Sequence, residues 1–410
     1  MTRRIDRMLA QAELPALERS AWVEVDTGQL TRNARALATL ARPAALGPVV
    51  KADGYGHGLE MAARSAIAGG ATWLCVANAG EATRLRADGY RGRIFMLYPV
   101  PAASIPVLSS LGVDISVGSA DDIAKATAAM EDLPGSLRAH LEIDTGMTRG
   151  GVRWDRMGDV TGIAGADGAV SLVGAWTHLA SPEDDVVTRA QLERFETALS
   201  ALERSGIDPG VIHAAASGGM LVIDTGGHGL VRPGLGFYGV HPGPEAPLPG
   251  EVAPAIAVKA HPVRITDVPP ETGVGYAGTW VAQVASRIAT LPLGYADGWS
   301  RSSSPGGMVL VGGARVPIVG RVSSDALTVD VSGVDDVGLD TEFTLLGRDG
   351  DDEITADEIA DVRDTISWEV LQQLGARLAR VYLASGSPIA VRAESTTKII
   401  GVPGDVSTSY

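Results

Sequence analysis

Lysine is nearly missing from this sequence. Of the 34 basic residues in the 410-residue chain, Lys51, Lys125, Lys259 and Lys398 are the lysines, and arginine supplies the rest. Positive charge as a whole is also short: 34 Lys and Arg against 49 Asp and Glu leave a formal net charge of −15. With no basic surplus to displace counterions from a polyphosphate backbone, nucleic acid is excluded as the main partner. A single cysteine, Cys75, precludes an intramolecular disulfide, and its place in the apolar run WLCVA predicts core packing rather than a catalytic thiol. No uninterrupted apolar run reaches the roughly 18 residues of a membrane span, and the first 18 residues lack the continuous apolar segment of a secretory signal. The expectation is a cytoplasmic protein with no membrane partner.

What is present is a regular alternation. A length of 410 residues allows two or three domains, or one large barrel with an appendage. Residues 1–20 read as a peripheral arm, loosely helical over 5–18 and interrupted at Pro15. Short β-branched runs at 48–50, 73–76, 94–98, 113–117, 139–143, 172–177, 211–215 and 229–231 read as strands. Between them, 59–68, 80–87, 119–130 and 188–205 have helical spacing. Eight such units predict a closed (β/α)8 barrel over 21–250; an open doubly wound sheet is the rival. The stretch HPGPEAPLPGEVAP holds five prolines and marks a crossing. Beyond it, 251–395 alternates with period two between glycine turns, so a mainly β domain is expected, with one helix over 365–374 and a weakly patterned tail over 396–410.

The densest chemical signal is VVKADGYGHG, which sets Lys51 directly after the first strand. Two readings fit: a snorkelling lysine at a strand end, or an amine desolvated by the barrel interior and so able to form a Schiff base. The other strand ends favour the second, because Arg149, His178, Ser217 and Arg232 follow the later strands and would converge with Lys51 on one barrel face. Taken singly, His178 also suits a satisfied core histidine and Arg232 an ion-pair partner.

These residues lie in motifs, VVKADGYGHG, LEIDTGMTRGGV, THLASPED, VRPGLGFYGV, VGYAGTW, LPLGYADGW and GRVSSDALTVDV, whose order from Trp22 to Leu383 resembles that of the alanine racemases, fold-type III pyridoxal phosphate enzymes. The resemblance implies interconversion of L- and D-alanine, with pyridoxal 5'-phosphate carried by Lys51 and no metal. Tyr55 would reach the cofactor phosphate, held also by Ser217 and the backbone amides of Gly234 and Leu235. Arg232 would face the pyridine nitrogen, where similar decarboxylases place a carboxylate; an arginine cannot readily accept that proton, which favours racemisation over transamination. Lys51 and Tyr276 would serve opposite faces of Cα, Tyr276 coming from the partner subunit of a homodimer and His178 bridging Tyr276 and Arg232. Arg149 would meet the substrate carboxylate or the cofactor's phenolic oxygen, Ser324 and Asp325 would lie near the carboxylate end, and Tyr295 and Asp297 would line the entrance.

The chain departs from the family pattern at several positions. Glu142 stands where many members have a carbamylated lysine, and would present its negative charge to Arg149. Ser323 and Ser324 replace a Cys-Met pair, Ala216 replaces an asparagine, and Trp368 replaces a phosphate-touching tyrosine. The polar serine edge leaves a serine or broader small-amino-acid racemase as an alternative. A pyridoxal phosphate carrier without turnover and a decarboxylase or aldolase are readings of other classes, the first opposed by Tyr276 and the second by Arg232.

Overall fold

A computed structural model describes residues 3–162, 168–225, 227–243, 247–393 and 399–400. The described chain divides into two compact units, one of residues 30–54 and 59–253, the other of residues 3–29, 55–58 and 254–400.

The first unit is the expected barrel. Parallel strands Trp73–Val76, Arg93–Met96, Val113–Val117, Leu137–Asp144, Val170–Trp176 and Val211–His213 pair in sequence order. Leu230–Val231 pairs in parallel with Ala45–Leu46, and bridges between Val49 and Cys75 and between Ala216 and Arg232 close the ring. That closure rules out the doubly wound sheet. Strand positions agree with those read from the apolar runs to within a few residues, because a strand buried on both faces carries a continuous apolar run. Helices leave the carboxyl ends of the strands through side-chain caps: Asn78 accepts from Glu81 N–H, Ser119 from Asp122 N–H, and Asp184 from Val186 and Val187 N–H. Cys75 is buried, its thiol donates to Gly47 O, and burial pushes its pKa to about 12; it is a core residue, as its apolar run indicates.

The second unit is mainly β. Its large sheet runs in the order Arg264–Val268, Ser286–Leu291, Leu327–Asp330, Ala314–Val319, Met308–Val311, Phe343–Asp349, Ile256–Ala260, Ala21–Asp26, Ala379–Ala384, Ser387–Arg392 and Ile399–Ile400. Two sequence expectations are corrected here. Ala21–Asp26, assigned to the barrel by the 21–250 boundary, pairs antiparallel with Ile256–Ala260 and parallel with Ala379–Ala384. The arm is not peripheral either: helix Arg4–Gln11 buries Ile5 and Leu9 against Trp22, Val381 and Val391. An amphipathic helix with two apolar anchors gains most of its stability from such packing. The helix expected over 365–374 is Ser367–Gln372. No described helix is long and apolar enough to cross a membrane. Lys398 and most of the 396–410 tail lie outside the described residues.

Candidate active site

Lys51 stands at the carboxyl-terminal end of the first barrel strand, and the backbone after it is unusual. Ala52, Asp53 and Gly54 have φ of 52°, 55° and 62°, a left-handed turn. Such a turn costs roughly 1–2 kcal/mol for each residue bearing a Cβ, so neighbours must hold it. Ala52 N–H donates to Glu81 Oε1 at 2.8 Å while Ala77 N–H donates to Glu81 Oε2 at 2.8 Å. Asp53 Oδ1 accepts from Leu59 N–H at 3.2 Å and meets Arg84 at 3.3 Å, and Arg84 is also paired with Glu60. A strained, externally pinned segment fixes the direction in which Lys51 leaves the strand. Its Nζ lies 5.3 Å from the centroid of the Tyr98 ring, and the Arg149 guanidinium lies 5.5 Å from the same ring. Tyr98 joins two of the expected site residues; in the sequence it is marked by nothing beyond its place at the end of the 94–98 run.

Arg232 is fully buried at the end of the last barrel strand, which makes its partners decisive. Nη1 donates to His213 Nδ1 at 2.5 Å, and Nη2 to Thr177 O and Ala214 O at 2.8 and 3.3 Å. His178, expected as its partner, does not take that place. The physical reason is direction: His213 lies in strand Val211–His213 with its ring inside the barrel, stacked on Trp176 and edge-on to Phe95. His213 Nε2 lies 2.8 Å from His140 Nδ1, and His140 Nε2 lies 3.3 Å from Asp114 Oδ2. Arginine at one end donates and carboxylate at the other accepts, so each histidine takes a proton on Nε2 only. Burial agrees, lowering the pKa of both His213 and His140 and keeping them neutral. Gly174 leaves room for this pair: a Cβ there would lie 2.1 Å from His140 Nδ1. Burial also lowers Arg232 to about 10, so it stays protonated near neutrality. Its Nε has no acceptor among the described residues.

Ser217 follows Ala216, which bridges in parallel to Arg232. Its Oγ accepts from Gly234 N–H at 2.9 Å and from Gly236 N–H at 3.1 Å, where the 3-10 turn Leu235–Tyr238 begins. Expected with Gly234 was the amide of Leu235; the Gly236 amide is the additional donor directed at the hydroxyl. His178 is pulled down to about 3 by burial and by the charges of Arg232, Arg149 and Lys51, so it is neutral and lies within their field. Glu142 is raised to about 7, chiefly by burial, against the attraction of Arg149 and Arg232. No salt bridge joins Glu142 to Arg149; they act on each other through the field, with Glu142 packed beneath the Gly150–Gly151 backbone.

These groups fit pyridoxal phosphate. A lysine at the barrel mouth can bind its aldehyde, the Ser217 hydroxyl, which accepts from the Gly234 and Gly236 amides, keeps its own proton to donate to the phosphate, and the unused Nε of buried Arg232 suits an acceptor such as the pyridine nitrogen.

The β unit holds the remaining expected residues. Tyr276 opens the turn Tyr276–Gly278 and is 68% exposed on a cavity of about 380 Å³ shared with Arg321, Ser323 and Thr328. Tyr295 and Ala296 donate their N–H groups to Ser323 O and Ser324 O at 3.0 Å each, which ties the Tyr295 turn to the Ser323-Ser324 segment. Gly294 permits this approach, since a Cβ there would lie 2.1 Å from Ser323 O. Asp325 pairs with Arg377 at 2.7 Å, and that bond holds its carboxyl below the usual range. Asp297 does not line an entrance: it is fully buried, bound by Arg19 at 2.7 and 3.1 Å, and accepts from Gly294 N–H. A turn sequence cannot reveal that an arginine 278 residues away closes over its carboxylate. Trp368 is half-buried on Ser367–Gln372, and Tyr55 is buried at φ 51°.

The family model for the alanine racemase N-terminal domain matches residues 25–242, and that for the alanine racemase C-terminal domain matches 255–382. The chain is 36% identical over 371 residues to an alanine racemase of Desulfovibrio desulfuricans, covering 90% of this chain and 99% of that one. The alanine racemase of Bacillus anthracis, solved with bound L-Ala-P, superposes with a TM-score of 0.88 at 31% identity, covering 92% of this chain and 99% of that one. That of Bartonella henselae, solved with covalently bound pyridoxal phosphate, gives 0.80 at 26% identity over 90% of this chain and 100% of that one.

Proposed function

The chain belongs to the alanine racemase family, and from that premise we propose that it interconverts L- and D-alanine with pyridoxal 5'-phosphate as cofactor. The observation that carries this reading is Arg232, a buried cation held by three protein acceptors with Nε left over. A guanidinium that remains protonated at neutral pH donates to a pyridine nitrogen and cannot supply it with a full proton, which suits reversible proton transfer at Cα. When bound, pyridoxal phosphate supplies the electron sink that acidifies the substrate Cα–H. Lys51 binds the cofactor covalently and moves the proton on one face of Cα. Arg149 orients the substrate carboxylate through its planar fork.

Tyr276 moves the proton on the other face, presented by the partner subunit of a homodimer; its exposed phenol supports that arrangement. His178, being neutral, can share a hydrogen bond with this phenol without adding charge. Tyr55 and Trp368 close on the phosphate, Ser324 and Asp325 border the carboxylate end, and Tyr295 borders the entrance. A serine racemase has less support: the Ser323 hydroxyl donates to Ala326 O and accepts from Ala326 N–H within its own turn. A carrier without turnover is disfavoured by the match over 255–382, which includes Tyr276.

Holoenzyme incubated with L-alanine in deuterated water should yield D-alanine labelled at Cα, resolved by chiral chromatography. Unchanged L-alanine without Cα exchange, in protein that retains the visible cofactor absorbance, sinks the proposal. Lys51→Ala should lose both that absorbance and the activity.

A further inference from the structure

We propose that an open cavity at the amino-terminal end of the barrel, the face opposite Lys51, binds a phosphorylated small molecule. The cavity measures about 960 Å³ and its charged lining is Arg86, Arg91, Arg93 and Arg138 with one carboxylate, Asp114. Arg93 begins strand Arg93–Met96, while Asp114 and Arg138 are the second residues of Val113–Val117 and Leu137–Asp144, so the parallel barrel brings them to one rim. A chain of net charge −15 has nonetheless gathered four guanidinium groups where one carboxylate can neutralise only one of them.

The site is preorganised. The Arg93 guanidinium lies 3.9 Å from the centroid of the Trp73 ring and donates to Asp114 Oδ2 at 3.0 Å. Arg138 binds both Asp114 oxygens through Nε and Nη2 at 2.6 and 3.2 Å, and Asp114 is 2% exposed. Side chains already fixed by stacking and ion pairing lose little entropy when a ligand arrives. Donors are left over: among the described residues Nε and Nη1 of Arg93, Nη1 of Arg138, and Nε and Nη2 of Arg91 have no protein acceptor. Arg86 differs, because it is spent on the carbonyls of Tyr90, Gly92, Leu111 and Gly112 and contributes charge alone. Several unused planar forks call for an oxyanion with several oxygens, a phosphate monoester or a diphosphate, rather than one carboxylate. The volume suits a small-molecule site, for which about 300–1,000 Å³ is usual. A bound anion also competes with Asp114 for Arg93 and Arg138.

Isothermal titration of the holoenzyme with pyrophosphate, and separately with glycerol phosphate, tests the site without reference to racemisation. Saturable binding of either probe at one site per chain is expected, weakening with added salt and unchanged by saturating alanine, which separates it from Arg149. Arg91→Gln and Arg138→Gln should each weaken binding about tenfold, as loss of one charge-assisted contact implies. Arg91 is exposed, and its guanidinium bonds to the carbonyls of Arg86 and Tyr90 alone among the described residues. Absence of saturable heat with both probes, displacement by alanine, or affinities unmoved in both arginine variants would overturn the proposal.

Discussion

Glu142 shows how a single residue changes meaning once its surroundings are known. From the sequence it is a constant negative charge facing Arg149; buried, it holds its proton up to about pH 7. Between its ordinary value of 4.5 and about 7 the folded chain keeps a proton that the unfolded chain has shed. The unfolded state binds fewer protons there, so stability falls as pH rises through that window and levels off above it. The loss amounts to roughly 3 kcal/mol, at about 1.36 kcal/mol per pKa unit. Chemical denaturation across that range should show a shallower decline in Glu142→Gln than in the parent. The same variant should lose a pH dependence of KM for alanine: in the parent, KM falls as Glu142 ionises near neutrality and strengthens the field that holds Arg149. A KM profile identical in both proteins would remove Glu142 from substrate binding.

At the scale of elements, the strands were the most legible feature and their partners the least. Continuous apolar runs mark barrel strands because both faces of each are covered, and helix caps such as Asn78, Ser119 and Asp184 mark where the returning helices begin. Ala21–Asp26 carries an equally apolar pattern, yet it belongs to the other unit, since an apolar run states that a strand is buried without stating what it pairs with. Strand Val170–Trp176 makes a sharper case. Its Gly174 faces the His140 ring so closely that no Cβ fits. Gly174→Ala should destabilise the barrel by about 1–3 kcal/mol through overpacking, read as a lowered denaturation midpoint. The displaced His140 should also release His213 from its fixed tautomer, and an unchanged midpoint would show that the ring can move aside at no cost.

For the whole molecule, the proposed reaction needs two groups that lie in different units of the chain, Lys51 in the barrel unit and Tyr276 in the β unit. If the partner subunit supplies Tyr276, Lys51→Ala and Tyr276→Phe are each inactive alone but complement one another. Unfolded together and refolded, they should recover about a quarter of parental activity, because half of the symmetric dimers are mixed and each mixed dimer has one intact site. No recovery, with dimers present, means that both groups act within one chain. The sequence by itself determined which reactive groups exist, the order of strands and helices, and the motifs of the family, because residue type and hydrophobic period are local properties. The tertiary structure alone decided that His213 rather than His178 takes Arg232, that Asp297 is closed over by Arg19, that Glu142 titrates near neutrality, and that four arginines gather at the foot of the barrel. Each of those depends on burial and on the approach of segments far apart in the chain, and neither is written in any one of them.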